Sequence, residues 1–205
     1  MDRPATRIRP IGDDDRAEVA RVLRERWGAD IVVAHDRVFE PATLDGYLAE
    51  AGPEWLGLLT FDVTGNVLEI VTIDAFAPGG GVGTALLDAA ADAARRHGCA
   101  RVRLTTTNDN LDALRFYQRR GFHLVELRPG AVDRARRTKP QIPELGAYGI
   151  PLRDELALER ETGWVLADDD QVGRHRRAVL DAGDADLHTG LDRARVGLGL
   201  VLEDP

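Results

Sequence analysis

A glycine-rich turn between a strand and a helix limits what this chain can fold into more than any other feature. Four of the five residues at 79–83 are glycine, and they separate a β-branched segment at 67–76 from a helical pattern at 82–97. The first amides of a helix lack intrahelical partners and lie at its positive pole, where anions bind. Glycine permits positive φ and, without Cβ, lets a phosphate approach closely. The pattern predicts an anion site, with a plain flexible turn as the alternative.

Two common phosphate-binding motifs fit this turn poorly. No Lys-Ser or Lys-Thr follows the glycines, which disfavours a Walker A loop. The turn follows a predicted antiparallel hairpin of residues 55–63 and 67–76, whereas a dinucleotide-binding turn opens the first unit of a parallel sheet. A regulatory module that binds a nucleotide phosphate at this turn is kept as a distant alternative.

Hydrophobic periodicity predicts an α/β order for most of the chain. A strand at residues 6–11 precedes a helix that ends at Trp27, whose apolar residues recur at intervals of three and four. The other predicted elements are a short strand at 31–34, one or two helical turns at 44–50, strands at 100–106, 122–127 and 150–159, and a helix at 111–120. This alternation indicates a sheet with at least one parallel crossover.

A second pattern lies on the predicted helix at 111–120. Asn110, Ala113 and Tyr117 fall at i, i+3 and i+7, so they share one face. The small side chain of Ala113 leaves room for a ligand beside the tyrosine. In the alternative interpretation, Phe116 and Tyr117 are core aromatics and Asn110 is a helix cap.

A G-x-G that opens a long helix, followed by N-x-x-A-x-x-F-Y-x-x-x-G-F, resembles the GNAT superfamily of N-acetyltransferases. The second motif consists of Asn110, Ala113, Phe116, Tyr117, Gly121 and Phe122. The resemblance covers residues 6–161 and implies the α/β GNAT fold: a mixed central β-sheet, a V-shaped splay between two parallel strands, and helices on both faces. Residues 1–161 are the predicted acetyltransferase domain, and residues 162–205 are an acidic C-terminal extension of unknown role.

The resemblance implies acetyl-CoA as co-substrate and no metal. Its pantetheine arm would lie between residues 70–74 and 104–106, and a backbone N–H near Ile73 would polarise the thioester carbonyl. Pro78 departs from the family, which usually has Arg or Gln there, so backbone amides would supply most of the phosphate binding. The residues implied to bind acetyl-CoA are Ile73, Asp74, Gly79, Gly80, Gly81, Val82, Gly83, Thr84 and Asn110.

The implied reaction is direct transfer of the acetyl group to a primary amine, without an acetyl-enzyme. Tyr117 is suited to protonate the leaving thiolate, because a phenol with a pKa of about 10 stays protonated near neutral pH. Glu69 and Asp74, on the strand that borders the cleft, are the candidate bases, with His35 and His123 behind them. An amine that arrives neutral would need no base.

Composition limits the partners. The net charge is −8 and the acids are scattered, so neither a nucleic acid nor an anionic membrane would meet a basic face. We therefore expect a small-molecule or peptide amine as partner, no nucleic acid, no membrane, and a homodimer as one arrangement. Cys99 is the only cysteine, which excludes an intrachain disulfide and a cysteine-based zinc cluster. Without an apolar leader or span, the predicted location is cytoplasmic.

Two further questions stay open in the sequence. A catalytically inactive acyl-CoA-binding sensor or scaffold of the same fold is the main functional alternative. Residues 129–148 form a long connection that carries Arg134, Arg136, Arg137 and Lys139. Long loops are often functional, so this one is interpreted as a cap on the acceptor pocket or as a contact for an acidic group on the substrate. The alternative interpretation is an exposed charged helix.

Overall fold

The computed structural model describes residues 5–76 and 80–163. The predicted cofactor residue Gly79, and residues 164–205 of the predicted extension, lie outside this range. In chain order the elements are β1 (Arg7–Pro10), α1 (Arg16–Trp27), β2 (Val32–Ala34), β3 (Arg37–Phe39), β4 (Asp45–Ala51), β5 (Glu54–Thr64), β6 (Val67–Ala75), α2 (Val82–Arg96), β7 (Arg101–Thr107), α3 (Leu111–Gln118), β8 (His123–Arg128), α4 (Ala131–Ala135) and β9 (Glu155–Glu161).

Seven of the strands form one mixed sheet in the order β1-β4-β5-β6-β7-β9-β8, and β2 and β3 form a separate hairpin. Within the described residues β6 and β7 run parallel, with α2 as their crossover, and the other neighbouring strands run antiparallel. The predicted α/β sheet with a parallel crossover is therefore confirmed.

Helices cover both faces of the sheet. On one face, α1 packs Val19, Leu23 and Trp27 against Leu48 and Leu58. On the other face, α2 and α3 contribute Val82, Leu86, Leu87, Ala90, Ala93, Ala94, Ala113, Phe116 and Tyr117 to a second core, together with Leu59, Leu68, Ile70 and Leu104. The neighbours Leu58 and Leu59 belong to different cores because successive strand residues point to opposite faces.

The two parallel strands separate part-way along their length. They pair from Val67 opposite Arg101 to Ile70 opposite Leu104. Past that point, residues 72–75 pair with β5 and residues 105–107 pair with β9. A β-bulge lies at the same place: Phe61 is opposite Ile70 but Thr60 is opposite Thr72, so β6 has one additional residue. Because bulges increase local twist and bend a strand, this one explains the divergence, and the predicted V-shaped splay is confirmed.

The predicted helical turns at residues 44–50 are wrong, because this segment is strand β4. Leu48 and Ala49 are both fully buried, and they face different cores. A helical turn could not present consecutive residues to opposite cores, whereas a strand between β1 and β5 does so. Here the tertiary environment overrides local propensity.

The connection at residues 129–148 is only briefly helical and is partly buried. In it, α4 packs Val132 and Ala135 against Val33 of β2, together with Ile142. Lys139 is fully buried, and its Nζ donates to the Ile31 carbonyl oxygen at 3.3 Å. This segment therefore does not form an exposed charged helix. It packs onto the β2–β3 hairpin instead.

Candidate active site

The start of α2 has backbone amides without partners in the helix. Gly81 is the N-cap residue and makes no side-chain cap, and the first turn contains no acidic residue. Gly80 and Gly81 have φ of 107° and 75°, and a Cβ on either would meet no heavy atom within 4 Å. Ala85 N donates to Gly81 O at 3.0 Å. The three amides between Gly81 and Ala85 lack intrahelical acceptors, which is the arrangement that binds anions.

Gly83 has a different role from the glycines before it. A Cβ on Gly83 would lie 3.1 Å from Cζ of Phe116, whereas a Cβ on Gly80 or Gly81 would have no heavy atom within 4 Å. The absence of a side chain therefore lets α3 pack closely against the first turn of α2. This contact sets the position of the helix that carries Tyr117.

Two buried threonine hydroxyls lie in the part of β7 that diverges from β6. Thr105 and Thr106 are 6% and 2% exposed, and their Oγ1 atoms hydrogen-bond to no group among the described residues. Since adjacent strand residues point to opposite faces, one hydroxyl lies on each side of the sheet. A buried polar group without a partner costs about 1–3 kcal/mol. A ligand with amide groups in the splay would recover part of this free energy.

Tyr117 is fully buried, and its hydroxyl also has no hydrogen-bond partner among the described residues. Its ring makes edge contacts with Phe116 and Phe122 at centroid distances of 5.2 and 5.9 Å. Burial raises the pKa of the phenol well above its ordinary value, and the nearby charge of Asp74 raises it further against an opposing effect of Arg120. The phenol therefore keeps its proton at neutral pH.

Asn110 is the N-cap residue of α3. Its Oδ1 accepts a hydrogen bond from Ala113 N at 3.2 Å, and Ala113 is fully buried in the core. The side-chain oxygen of Asn110 therefore caps α3, as the alternative interpretation expected. The space beside Ala113 is filled by protein, so its small side chain serves helix packing. A contact between Asn110 and a cofactor stays a prediction.

Glu69 lies on the other face of the sheet from Tyr117. Its neighbours Leu68 and Ile70 belong to the core that contains Tyr117, so the alternation of β6 turns Glu69 the other way. The side chain is 13% exposed, and Oε1 lies 2.6 Å from His35 Nε2. Burial raises the pKa of Glu69 to about 6, although Arg37 and Arg103 oppose the shift.

His35 connects Glu69 to a second buried acid, Glu155. His35 N donates to Glu155 Oε2 at 2.9 Å, while its ring contacts Glu69. His35 and Asp36 form the turn between β2 and β3 with φ of 39° and 61°, which side-chain-bearing residues rarely adopt. Asp36 is held by Arg134 Nε at 2.9 Å. Such strained residues persist where surrounding contacts fix them, often at functional sites.

Asp74 is less suited to act as a base. It is 1% exposed, and Oδ2 accepts from Arg26 Nε at 2.7 Å and from Trp27 Nε1 at 3.1 Å. These bonds attach β6 to α1 and occupy the carboxylate. Ile73 is buried beside it and lies in the diverging part of β6, as its predicted backbone role requires. The fourth candidate base, His123, is an exposed residue of edge strand β8.

The sequence of this chain matches a known protein family. The sequence profile described as "Acetyltransferase (GNAT) family" matches residues 16–122, more than half of the chain. The chain belongs to the GNAT acetyltransferase family. The uncharacterized protein YdhI of Bacillus subtilis (strain 168) is 38% identical over 138 residues, which cover 66% of this GNAT chain and 86% of YdhI.

Solved structures share the GNAT fold. The IAA acetyltransferase from Bacillus cereus ATCC 14579 aligns with a TM-score of 0.60 at 21% identity, covering 77% of this chain and 99% of that one. A GNAT acetyltransferase from Elizabethkingia anophelis with acetyl-CoA bound aligns with a TM-score of 0.53 at 21% identity, covering 76% and 97%. The prediction of acetyl-CoA as co-substrate agrees with both the family and this neighbour.

Metal binding and membrane insertion can both be assessed for the described part of the GNAT chain. Within residues 5–76 and 80–163, no three His, Cys, Asp or Glu side chains are grouped so as to hold a metal ion. In the same range no helix has both the length and the apolar character needed to cross a bilayer. The predictions about nucleic acid, membrane and a homodimer stay predictions.

Several residues of the site were not found from the sequence. Glu155 comes to the site through the pairing of β7 with β9, and Arg120 comes to it through the packing of α3 on α2. Thr105 and Thr106 lie in the segment that was expected to line the pantetheine, but their hydroxyls were not named as ligands. Three consecutive threonines at 105–107 were a usable signal, since polar residues at the end of a buried strand require partners. For Glu155 and Arg120 the sequence contains no comparable signal.

Proposed function

We propose that this protein transfers an acetyl group from acetyl-CoA directly to a primary amine on a small molecule or a peptide. The observation that carries the proposal is the placement of a base and an acid on opposite faces of the sheet. Glu69 lies one residue before Ile70, where β6 and β7 stop pairing. Tyr117 packs in the core that contains Ile70 and Leu104. The splay between the strands is the route by which one reacting centre would meet both groups.

The residues of the chain fit acetyl-CoA. The amides at the start of α2 would hold its diphosphate, and the hydroxyls of Thr105 and Thr106 would hydrogen-bond to its pantetheine amides. When bound, acetyl-CoA supplies an activated acetyl group as a thioester. These buried hydroxyls support the assignment because they have no hydrogen-bond partner within residues 5–76 and 80–163, and the amides of pantetheine would satisfy them.

Glu69 is the proposed general base. With a pKa of about 6 it is mostly ionised at neutral pH, yet it is more basic than an ordinary carboxylate. It can therefore take a proton from an incoming ammonium group. The hydrogen bond from His35 Nε2 orients Oε1, and Arg37 lies 4.0 Å from Oε2. His35 is thus a positioning residue for the base.

Tyr117 is the proposed general acid. Its raised pKa keeps the proton on the phenol until a strong base forms beside it. A thiolate leaving group is such a base, so the proton passes from the phenol oxygen to the sulfur. Its hydroxyl hydrogen is not committed to another described group, which leaves it available for this transfer. The buried thiol of Cys99 takes no part in this scheme.

A panel of primary amines tests the proposal. Release of the CoA thiol is followed with a thiol reagent in the presence of acetyl-CoA and each amine, and acetylated products are identified by mass spectrometry. We expect at least one amine to be turned over. Binding of acetyl-CoA without turnover of any amine would favour the inactive sensor or scaffold instead.

Glu69→Gln tests the base. Loss of a general base lowers kcat by about 10²- to 10⁴-fold. The wild-type kcat should also rise with pH through about 6, because only the ionised carboxylate accepts the proton, and Glu69→Gln should lack this limb. Glu159→Gln is the matched control, since Glu159 lies on the same face but is paired with Arg101 and Arg103. Equal pH profiles in wild type and Glu69→Gln would contradict the assignment.

A further inference from the structure

Arg120 joins the end of α3 to the first turn of α2. Its Nε and Nη2 donate to Thr84 Oγ1 at 3.0 and 2.6 Å, and its Nη1 donates to the Phe116 carbonyl oxygen at 3.0 Å. The guanidinium carbon lies 3.6 Å from the centroid of the Phe116 ring. The hydrogen bonds and the stacking together hold a positive charge beside the first turn of α2.

This position is electrostatically unfavourable for a cation. The N-terminus of α2 is already the positive pole of a 15-residue helix. The first turn of α2 has no acidic residue, and its N-cap Gly81 makes no side-chain cap. The Phe116 carbonyl oxygen and Asp88, in the second turn, are among the negative groups near the guanidinium. An anion bound between the guanidinium and the first turn of α2 would be attracted by both.

We propose that Arg120 binds the diphosphate of acetyl-CoA together with the first amides of α2. Nε, Nη1 and Nη2 each donate one N–H to Thr84 or Phe116. The second N–H of Nη1 and the second N–H of Nη2 are the donors that would reach the phosphate oxygens. Stacking on Phe116 fixes the plane before the ligand arrives, which reduces the entropy lost on binding. Thr84 Oγ1 accepts from Arg120, so its own hydroxyl hydrogen can point to the same phosphate.

Pro78 has neither a backbone N–H nor a side-chain donor to offer a phosphate. In the proposed arrangement the cation comes from the end of α3. The inference rests on the proposed function only as far as binding of CoA, because it requires no acceptor amine. If Arg120 had only a structural role, replacing it would lower the stability of the unliganded protein. The affinity for CoA would then not depend on the charge at this position.

Calorimetric titration with CoA and with dephospho-CoA tests the proposal. Arg120→Met should weaken binding of both by about 10- to 100-fold, which corresponds to one lost charge-assisted contact. Arg120→Lys should be intermediate, since lysine keeps the charge but not the fork. Arg119→Met is the matched control, because Arg119 is the exposed neighbour and the variant has the same charge change. We expect its affinity to equal that of wild type.

Salt separates a direct contact from a structural one. Wild-type affinity for CoA should fall more steeply with ionic strength than that of Arg120→Met, because screening weakens the charge–phosphate contact. Equal affinities of Arg120→Met and Arg119→Met for CoA would overturn the proposal. Weaker binding of CoA with unchanged binding of dephospho-CoA would also overturn it, because that result would place Arg120 at the 3′-phosphate. Should Arg120→Met fail to fold, the comparison of Arg120→Lys with wild type decides. A wild type that binds no CoA would contradict the proposed function itself.

Discussion

Replacing Glu155 with glutamine tests the electrostatics on the face of the sheet that carries Glu69. Glu155 is 1% exposed, and burial raises its pKa from 4.5 to about 7, with the charge of Glu69 adding to the shift and Arg128 opposing it. Between these two values the folded protein holds a proton that the unfolded chain releases. Raising the pH through this window therefore lowers the free energy of unfolding. Glutamine has no such titration.

The magnitude follows from the two pKa values. At about pH 5 the loss in wild type is close to 1 kcal/mol, and at about pH 8 it is close to 3 kcal/mol. The free energy of unfolding of Glu155→Gln, relative to wild type, should therefore rise by about 2 to 3 kcal/mol across this range. The other titrating groups are common to both proteins, so most of their contribution cancels in the difference.

Urea denaturation of the full chain at the two pH values measures this difference. The hydrogen bond from His35 N to Glu155 Oε2 has an equivalent in glutamine, whose carbonyl oxygen can accept it, so the variant should fold. A stability difference that does not change between the two pH values would refute the reasoning. It would mean that Glu155 is ionised in the folded protein across the whole range and that Arg128, 3.8 Å away, compensates for its burial.

Two further variants test other parts of the structure. Tyr117→Phe should lower kcat by about 10²- to 10⁴-fold, as expected for a lost general acid. The free energy of unfolding should stay equal or rise, because the substitution removes a buried hydroxyl that has no partner among the described residues. An unchanged kcat in steady-state kinetics would exclude the role. Gly46→Ala should destabilise the protein by about 1–3 kcal/mol, because the new Cβ would lie 2.2 Å from the Leu59 carbonyl oxygen. Gly12→Ala should cost less, because its Cβ would lie 3.4 Å from Asp15 Oδ2. Equal denaturation midpoints of the two variants would contradict the close contact between β4 and β5.

The parts of the fold that local patterns determine could be predicted from the sequence. The hairpin of β5 and β6 has strong alternation and a Thr64-Gly65-Asn66 turn, and α2 has a regular apolar face closed by Gly98. Both were confirmed because local propensity and burial agree there. The helix that carries Tyr117 was predicted for the same reason, and its sequence motif led to the family.

Features that depend on contacts between distant segments could not be predicted in this way. Segment 45–51 has little strand propensity of its own and becomes β4 only because β1 and β5 flank it. Glu155 is opposite Thr107 in the sheet, 48 positions away in sequence, a pairing that no local pattern specifies. Arg120 looks like an ordinary C-terminal arginine of α3 until α2 is placed beside it.

The bulge in β6 links these observations. It separates β6 from β7 past Ile70. Thr105 and Thr106 lie in the part of β7 beyond this point, and their buried hydroxyls have no hydrogen-bond partner among the described residues. Each such group costs about 1–3 kcal/mol in the unliganded protein. A molecule that fills the splay removes this cost and so binds more tightly than its own contacts would suggest. In the proposed mechanism this opening is where Glu69 and Tyr117 would act on a shared substrate, so binding and proton transfer would both depend on the bulge in β6.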